Sequence, residues 1–151
     1  MKTGAVAASL LVLSAATSPA SAGTLGWGEK AGEESTIILK SGIDTSQAII
    51  KAKQNREDAD SYCKNYLEDG SSECIDKILS DPREDTVTAD CVAGKFYGIY
   101  GYRQFLETEN GYVFVREDGT IEENMPGVAE YPIDGETFRA LCPSRVKKFN
   151  F

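Results

Sequence analysis

The sequence predicts an α+β fold: a disulfide-tied helical hairpin, then a four- to five-strand antiparallel meander forming a small sheet or a partly closed barrel. Three observations carry that expectation. Residues 44–81 hold helix starts, helical apolar spacing and helix stops. From Thr86 onward the chain turns to Val, Thr, Tyr and Phe with glycine punctuation. Four cysteines are divided evenly between the two parts, Cys63 and Cys74 in the first, Cys91 and Cys142 in the second.

Residues 1–22 read as a secretory signal. Lys2 supplies the positive start, Ala5 to Ala16 the apolar run, Pro19 the break and Ala20-Ser21-Ala22 the cleavage pattern. The run is too short to span a membrane. Removing 22 of the 151 residues leaves 129, the size of one domain. Residues 23–43 read as a flexible Gly-rich leader with at most a short strand at Thr36–Lys40. The single domain is then expected over 44–151, with its helical part at 44–81 and its β part at 86–143.

Asp44-Thr45-Ser46 is a helix-start signal, and no Gly or Pro interrupts Gln47 to Glu68. Ala59, Tyr62, Cys63, Tyr66 and Leu67 fall on one helical face. Gly70 supplies the stop. Ser71-Ser72 caps a second helix carrying Cys74, Ile75, Ile78 and Leu79, and Asp81-Pro82 ends it.

Thr86–Ile99 reads as one long or bulged strand, with bend points at Gly94 and Gly98. Tyr100-Gly101 is a turn and Tyr102–Thr108 a second strand. Asn110-Gly111 is a strong turn signal. Tyr112–Arg116 and Thr120–Glu123 follow as strands, joined through Asp118-Gly119. Met125-Pro126-Gly127 is a loop. Phe138–Cys142 fits either periodicity, and Cys142-Pro143 closes the ordered part.

Four cysteines allow three pairings. Cys63–Cys74 and Cys91–Cys142 are favoured, the first closing a local helical turn, the second tying the strand region to the chain end. The lack of a C-x-x-C argues against thioredoxin-like redox chemistry, and the lack of histidine excludes Cys/His zinc sites and histidine triads. No metal site and no cofactor is expected. Losing Lys2 from 16 basic residues, against 24 acidic ones, takes the net charge from −8 to −9. That argues against nucleic acid and against anionic membranes, and favours a basic partner. No membrane insertion is expected once the signal is removed.

Seven aromatics, Phe96, Tyr97, Tyr100, Tyr102, Phe105, Tyr112 and Phe114, lie within twenty residues. Period-2 alternation sends them to both faces of a sheet. Tyr97, Tyr100, Tyr102 and Tyr112 are the candidate binding face, since tyrosine joins an apolar body to a polar tip. The competing reading is cross-strand pairing that only holds the sheet together. Trp27, the single tryptophan, is either an anchor that docks onto a partner or the domain, or incidental.

Other patterns carry less. Ser61-Tyr62-Cys63-Lys64 matches S-x-x-K, but the K-T-G companion is missing and the chain is too short for that fold. Glu117, Asp118, Glu122, Glu123, Glu130, Asp134 and Glu136 make the later loops acidic. An EF-hand is ruled out because Phe114 and Arg116 stand where ligands are needed.

Ala89-Asp90-Cys91, the aromatic strand, Tyr112 to Gly119 and the closing Leu141-Cys142-Pro143 resemble small exported cysteine-containing domains of Gram-negative bacteria, of uncharacterised function. The resemblance covers roughly Ala59 to Pro143. It implies a helical segment with two cysteines before a short meander, and an exported location, periplasmic rather than extracellular. It brings no functional residues. A looser similarity in acidity, size and cysteine-tied meander is to the small exported inhibitors of lysozyme, whose Ser-Gly-Ala-Arg-Tyr loop is absent here.

The expected function is therefore a non-catalytic exported binding domain acting on a protein or cell-envelope component, as inhibitor or adaptor. One alternative is a small cell-wall glycan hydrolase with Glu107, Glu117 or Glu123 as acid and base. Another is a structural or stress-related envelope protein without a ligand.

Overall fold

In the computed structural model an eight-stranded antiparallel sheet runs in sequence order, each strand pairing with the next. The structure describes residues 23–28, 30–109, 111–123 and 132–149. The signal segment and the Met125-Pro126-Gly127 loop lie outside them. The strands are β1 (Thr24–Gly26), β2 (Glu34–Ser41), β3 (Ala48–Lys53), β4 (Glu84–Asp90), β5 (Lys95–Gly98), β6 (Gly101–Thr108), β7 (Gly111–Arg116) and β8 (Ile121–Glu123). The helices are α1 (Arg56–Asn65), α2 (Ser72–Ser80), α3 (Pro132–Leu141) and the single turn α4 (Pro143–Val146). The fold is α+β, with a sheet about twice as large as the sequence predicts.

Three strands arise where none, or only a short one, is expected. β1 and β2 occupy the stretch read as a leader, with Thr24 opposite Thr36 and Gly26 opposite Glu34. β3 replaces the expected helix start. Its Ala48, Ile50 and Ala52 are buried while Lys51 and Lys53 are exposed, the alternation of a half-buried strand. Asp44-Thr45-Ser46 belongs to the β2–β3 connection, where Asp44 holds a left-handed φ of 66° and Thr45 N–H bonds Gly42 O at 3.0 Å. That geometry is a turn and cannot start a helix.

The first helix begins instead at Arg56, capped by Asn55. The Asn55 side chain accepts from Glu57 and Asp58 N–H, and Asp58 reaches back to Asn55 N–H in a capping box. Ser71 caps α2 by accepting from Cys74 N–H. A disulfide joins Cys63 of α1 to Cys74 of α2, and both pack with Ala59 and Ile75.

The expected long strand Thr86–Ile99 is two strands. Residues 91–94 form a tight turn between them, where Gly94 takes φ 73° and its N–H bonds Asp90 O at 2.8 Å. The closing element of undecided type is α3, and the chain after Cys142-Pro143 continues as α4.

The core lies between α3 and the sheet face formed by Ile50, Val87, Phe96, Phe105 and Phe114. Phe138 of α3 is its centre. Its ring stacks on Phe105 at 4.8 Å and meets Phe96 at 5.2 Å. Each such ring removed from water contributes about 1.5–3 kcal/mol. α3 touches β1, β3, β4 and β5, so the sheet curves around the helix. Cys91–Cys142 fastens the β4 end to the α3 end, with Cα atoms 5.4 Å apart. Two disulfides are compatible with an exported protein. Among the described residues no helix is long and apolar enough to cross a membrane.

Candidate functional site

Strand alternation divides the aromatic residues between two faces. Phe96, Phe105 and Phe114 turn to α3 and are buried. Tyr97 and Tyr102 turn outward, directly opposite each other on β5 and β6. Their rings meet edge to face with centroids 5.3 Å apart. Tyr97 is 60% exposed. Leu106 and Ile121, 45% and 59% exposed, extend this outer face, with Val113 and Val115 half-buried between them. The Tyr102 hydroxyl bonds Gln104 Oε1 at 3.1 Å, and Gln104 Nε2 donates to Ala93 O at 2.8 Å.

The four candidate tyrosines do not share one face. Tyr112 lies on the core side of β7, packed on Phe105 at 5.3 Å and Phe149 at 5.2 Å. The Gly111 start sets the β7 register so that Tyr112 shares the side of Phe114, two residues on. Tyr100 sits in the β5–β6 turn, 44% exposed, and its hydroxyl donates to Trp27 O at 2.5 Å. Trp27 itself docks on the protein. Arg83 lies over its ring at 4.7 Å, and Tyr62 of α1 meets it at 5.3 Å.

Two of the carboxylates proposed for hydrolysis, Glu107 and Glu117, are not gathered. Glu107 lies opposite Tyr112, while Arg116, just before Glu117, lies opposite Arg103. Glu107 and Glu117 therefore stand at opposite ends of the β6–β7 pair, about 16 Å apart along the strands. Glycosidase pairs need about 5–9.5 Å. Glu107 is bound to Lys148, which holds its carboxyl below the usual range. The Glu123 side chain lies outside the described ones. Among the described residues no group of three or more ligating side chains converges on a metal site. A shallow groove of about 790 Å³ runs between β6 and α4, lined by Gln104, Leu106, Glu107, Arg145 and Lys148. Two of its three cations are already engaged: Arg145 bonds the Cys91 and Val92 carbonyls, and Lys148 bonds Glu107.

A buried charge cluster under the β5–β6 turn was not foreseen. Arg103 points into the core side of β6, with Phe105 two residues on. Its Nε–H donates to Glu122 Oε2 at 2.9 Å, and its Nη1 to Tyr102 O at 2.9 Å and Tyr100 O at 3.2 Å. Arg116 binds the other Glu122 oxygen. Asp134 Oδ2 lies 3.0 Å from the same Arg103 Nε. The one signal in the sequence is Arg103 itself, a cation at an inward position of an alternating strand. The cluster positions the turn that presents Tyr100 and Tyr102.

No protein-family model, curated protein or solved structure matches this chain.

Proposed function

We propose that this is an exported, periplasmic, non-catalytic binding domain that engages a protein or cell-envelope component through the outer face of β5–β8. The observation that carries the reading is the Tyr97–Tyr102 pair, packed edge to face across two strands with Tyr97 60% exposed. Leu106 and Ile121 continue it as an apolar surface outside the core. Aromatic residues held rigid by a sheet bury much area at low entropic cost, the property of interface anchors. The net charge of the chain favours a basic partner, since it carries 24 acidic and 16 basic residues. An inhibitor or an adaptor fits these features.

The test is capture from the native envelope with disulfide-intact protein beginning at Gly23. Tyr97→Ser with Leu106→Ser is compared with Val92→Ser, an exposed residue of the β4–β5 turn. Loss with the double variant and retention with Val92→Ser supports the face. Equal capture by both variants sinks it. Dissociation at moderate salt would mark an electrostatically steered protein partner. Retention on purified peptidoglycan would mark the envelope polymer instead.

A further inference from the structure

Asp134 is a carboxyl group that the fold buries beside Arg103, and among the described residues none gives it a well-aligned hydrogen bond. Its side chain is 1% exposed. Three charged groups face it: Arg103 of β6, Arg116 of β7 and Glu122 of β8. Among the described residues the other elements packed on α3 add no charge that acts on it. β1, β3 and β5 present Leu25, Ile50 and Phe96. On β4, Asp85 shares the core side with Val87 and is held by Arg83. On α4, Arg145 is committed to the Cys91 and Val92 carbonyls. On α3 itself Glu136 and Arg139 are exposed.

The nearest donor is already spent. Arg103 Nε lies 3.0 Å from Asp134 Oδ2, yet its single N–H is donated to Glu122. Arg103 Nη1 is held by the Tyr100 and Tyr102 carbonyls. On the β5 side Asp134 Oδ1 faces Gly98, where a Cβ would lie 3.0 Å away, so no side chain of that residue reaches it. An ionised carboxylate in such a place bears a desolvation cost that the Arg103 charge offsets only in part, while a neutral carboxyl bears far less.

We propose that Asp134 carries its proton in this arrangement, and that losing it loosens the β5–β6 turn and makes the aromatic face pH-responsive. The proton leaves to solvent, and only the O–H bond breaks. The carboxylate then draws on the nearest donor, the Arg103 guanidinium. Turning that group toward Asp134 withdraws Nη1 from the Tyr100 and Tyr102 carbonyls. Burial, the largest influence, pushes the Asp134 carboxyl above the ordinary carboxylate range; Arg103 opposes the shift and Glu122 adds to it. The effect on binding rests on the function proposed above, whereas the device in the turn does not.

The test is an NMR titration of the disulfide-intact protein beginning at Gly23, from about pH 2 to about pH 8. The Asp134 carboxyl ¹³C shift is expected to titrate with a midpoint above about 3.9. The backbone amides of residues 98–103 are expected to move with the same midpoint, and to stop moving in Asp134→Asn. A carboxyl midpoint at or below the ordinary value overturns the proposal. So do amides that stay still while the carboxyl titrates. Both overturning results are read on the unaltered protein, so they stand even if the variant does not fold. Failure of the binding reading alone would leave this titration unchanged and appear only as equal capture by the face variants.

Discussion

Thr36 on β2 gives its backbone N–H to Asp58 Oδ2 at 2.8 Å, joining the sheet to the first helix. The same carboxylate accepts Thr36 Oγ1 at 3.1 Å and Asn55 N–H at 3.0 Å. Asp58 is thus a buried acid with every need met, the opposite of Asp134. Truncating it should orphan a strand amide and half of the capping box together. Asp58→Ala is expected to cost about 2–4 kcal/mol. Asp58→Asn, which keeps one acceptor oxygen, should cost less. Urea unfolding checks this, with a lower midpoint and an unchanged slope for both variants.

The two disulfides close loops of different length, 11 and 51 residues of separation. Constraint on the unfolded chain grows with the logarithm of loop length. Loop-closure entropy gives about 3 kcal/mol for Cys63–Cys74 and about 4 kcal/mol for Cys91–Cys142. Replacing each pair by alanines should therefore lower the denaturant midpoint more for the second pair. The ordering is also expected from position, because Cys91 and Cys142 are buried in the main core while Cys63 and Cys74 pack in the smaller cluster.

The aromatic strands were the most legible part of the sequence, since alternation alone separates Phe96 from Tyr97. Residues 44–55 were the least. The absence of Gly and Pro after Gln47 resembles a long helix, yet Ala48, Ile50 and Ala52 alternate with Lys51 and Lys53 as a strand does. Asn55, followed three residues later by Asp58, is the true helix start, and a carboxylate-bearing capping box was there to be read. The Gly-rich composition of 23–43 concealed β1 and left only the Thr36–Lys40 part of β2 legible, because β1 is held by β2 and β2 by β3 rather than by local preference. The Arg103–Glu122–Asp134 cluster joins three elements of the fold and has no local spacing that could reveal it.

Face assignment makes a sharp contrast between adjacent residues. Phe96 is fully buried against Phe114 and Phe138, and Phe96→Ala should cost about 3–5 kcal/mol. Tyr97 is outward and exposed, and Tyr97→Ala should lose little beyond its edge contact with Tyr102, about 0.5–1.5 kcal/mol. Thermal unfolding of the two variants checks this. Similar losses in both would mean that the outer face is covered in the folded protein, and the proposed interface would have no surface to offer.

Asp134 gives stability a pH dependence of definite sign. Its folded carboxyl titrates above its unfolded value because burial disfavours the charge. Between the two values the folded state holds more protons than the unfolded one. Stability must then fall as pH rises from the ordinary carboxylate value, about 3.9, through the raised folded value, and stay lower above it. Asp134→Asn removes the titrating group and keeps the shape. It should flatten this part of the profile, leaving the variant more stable than the parent at about pH 8 and close to it at about pH 4. The check is chemical denaturation of both proteins across that range. A variant less stable at high pH would mean that the Arg103 attraction outweighs the desolvation of Asp134, reversing the order of effects on which the pH response of the turn depends.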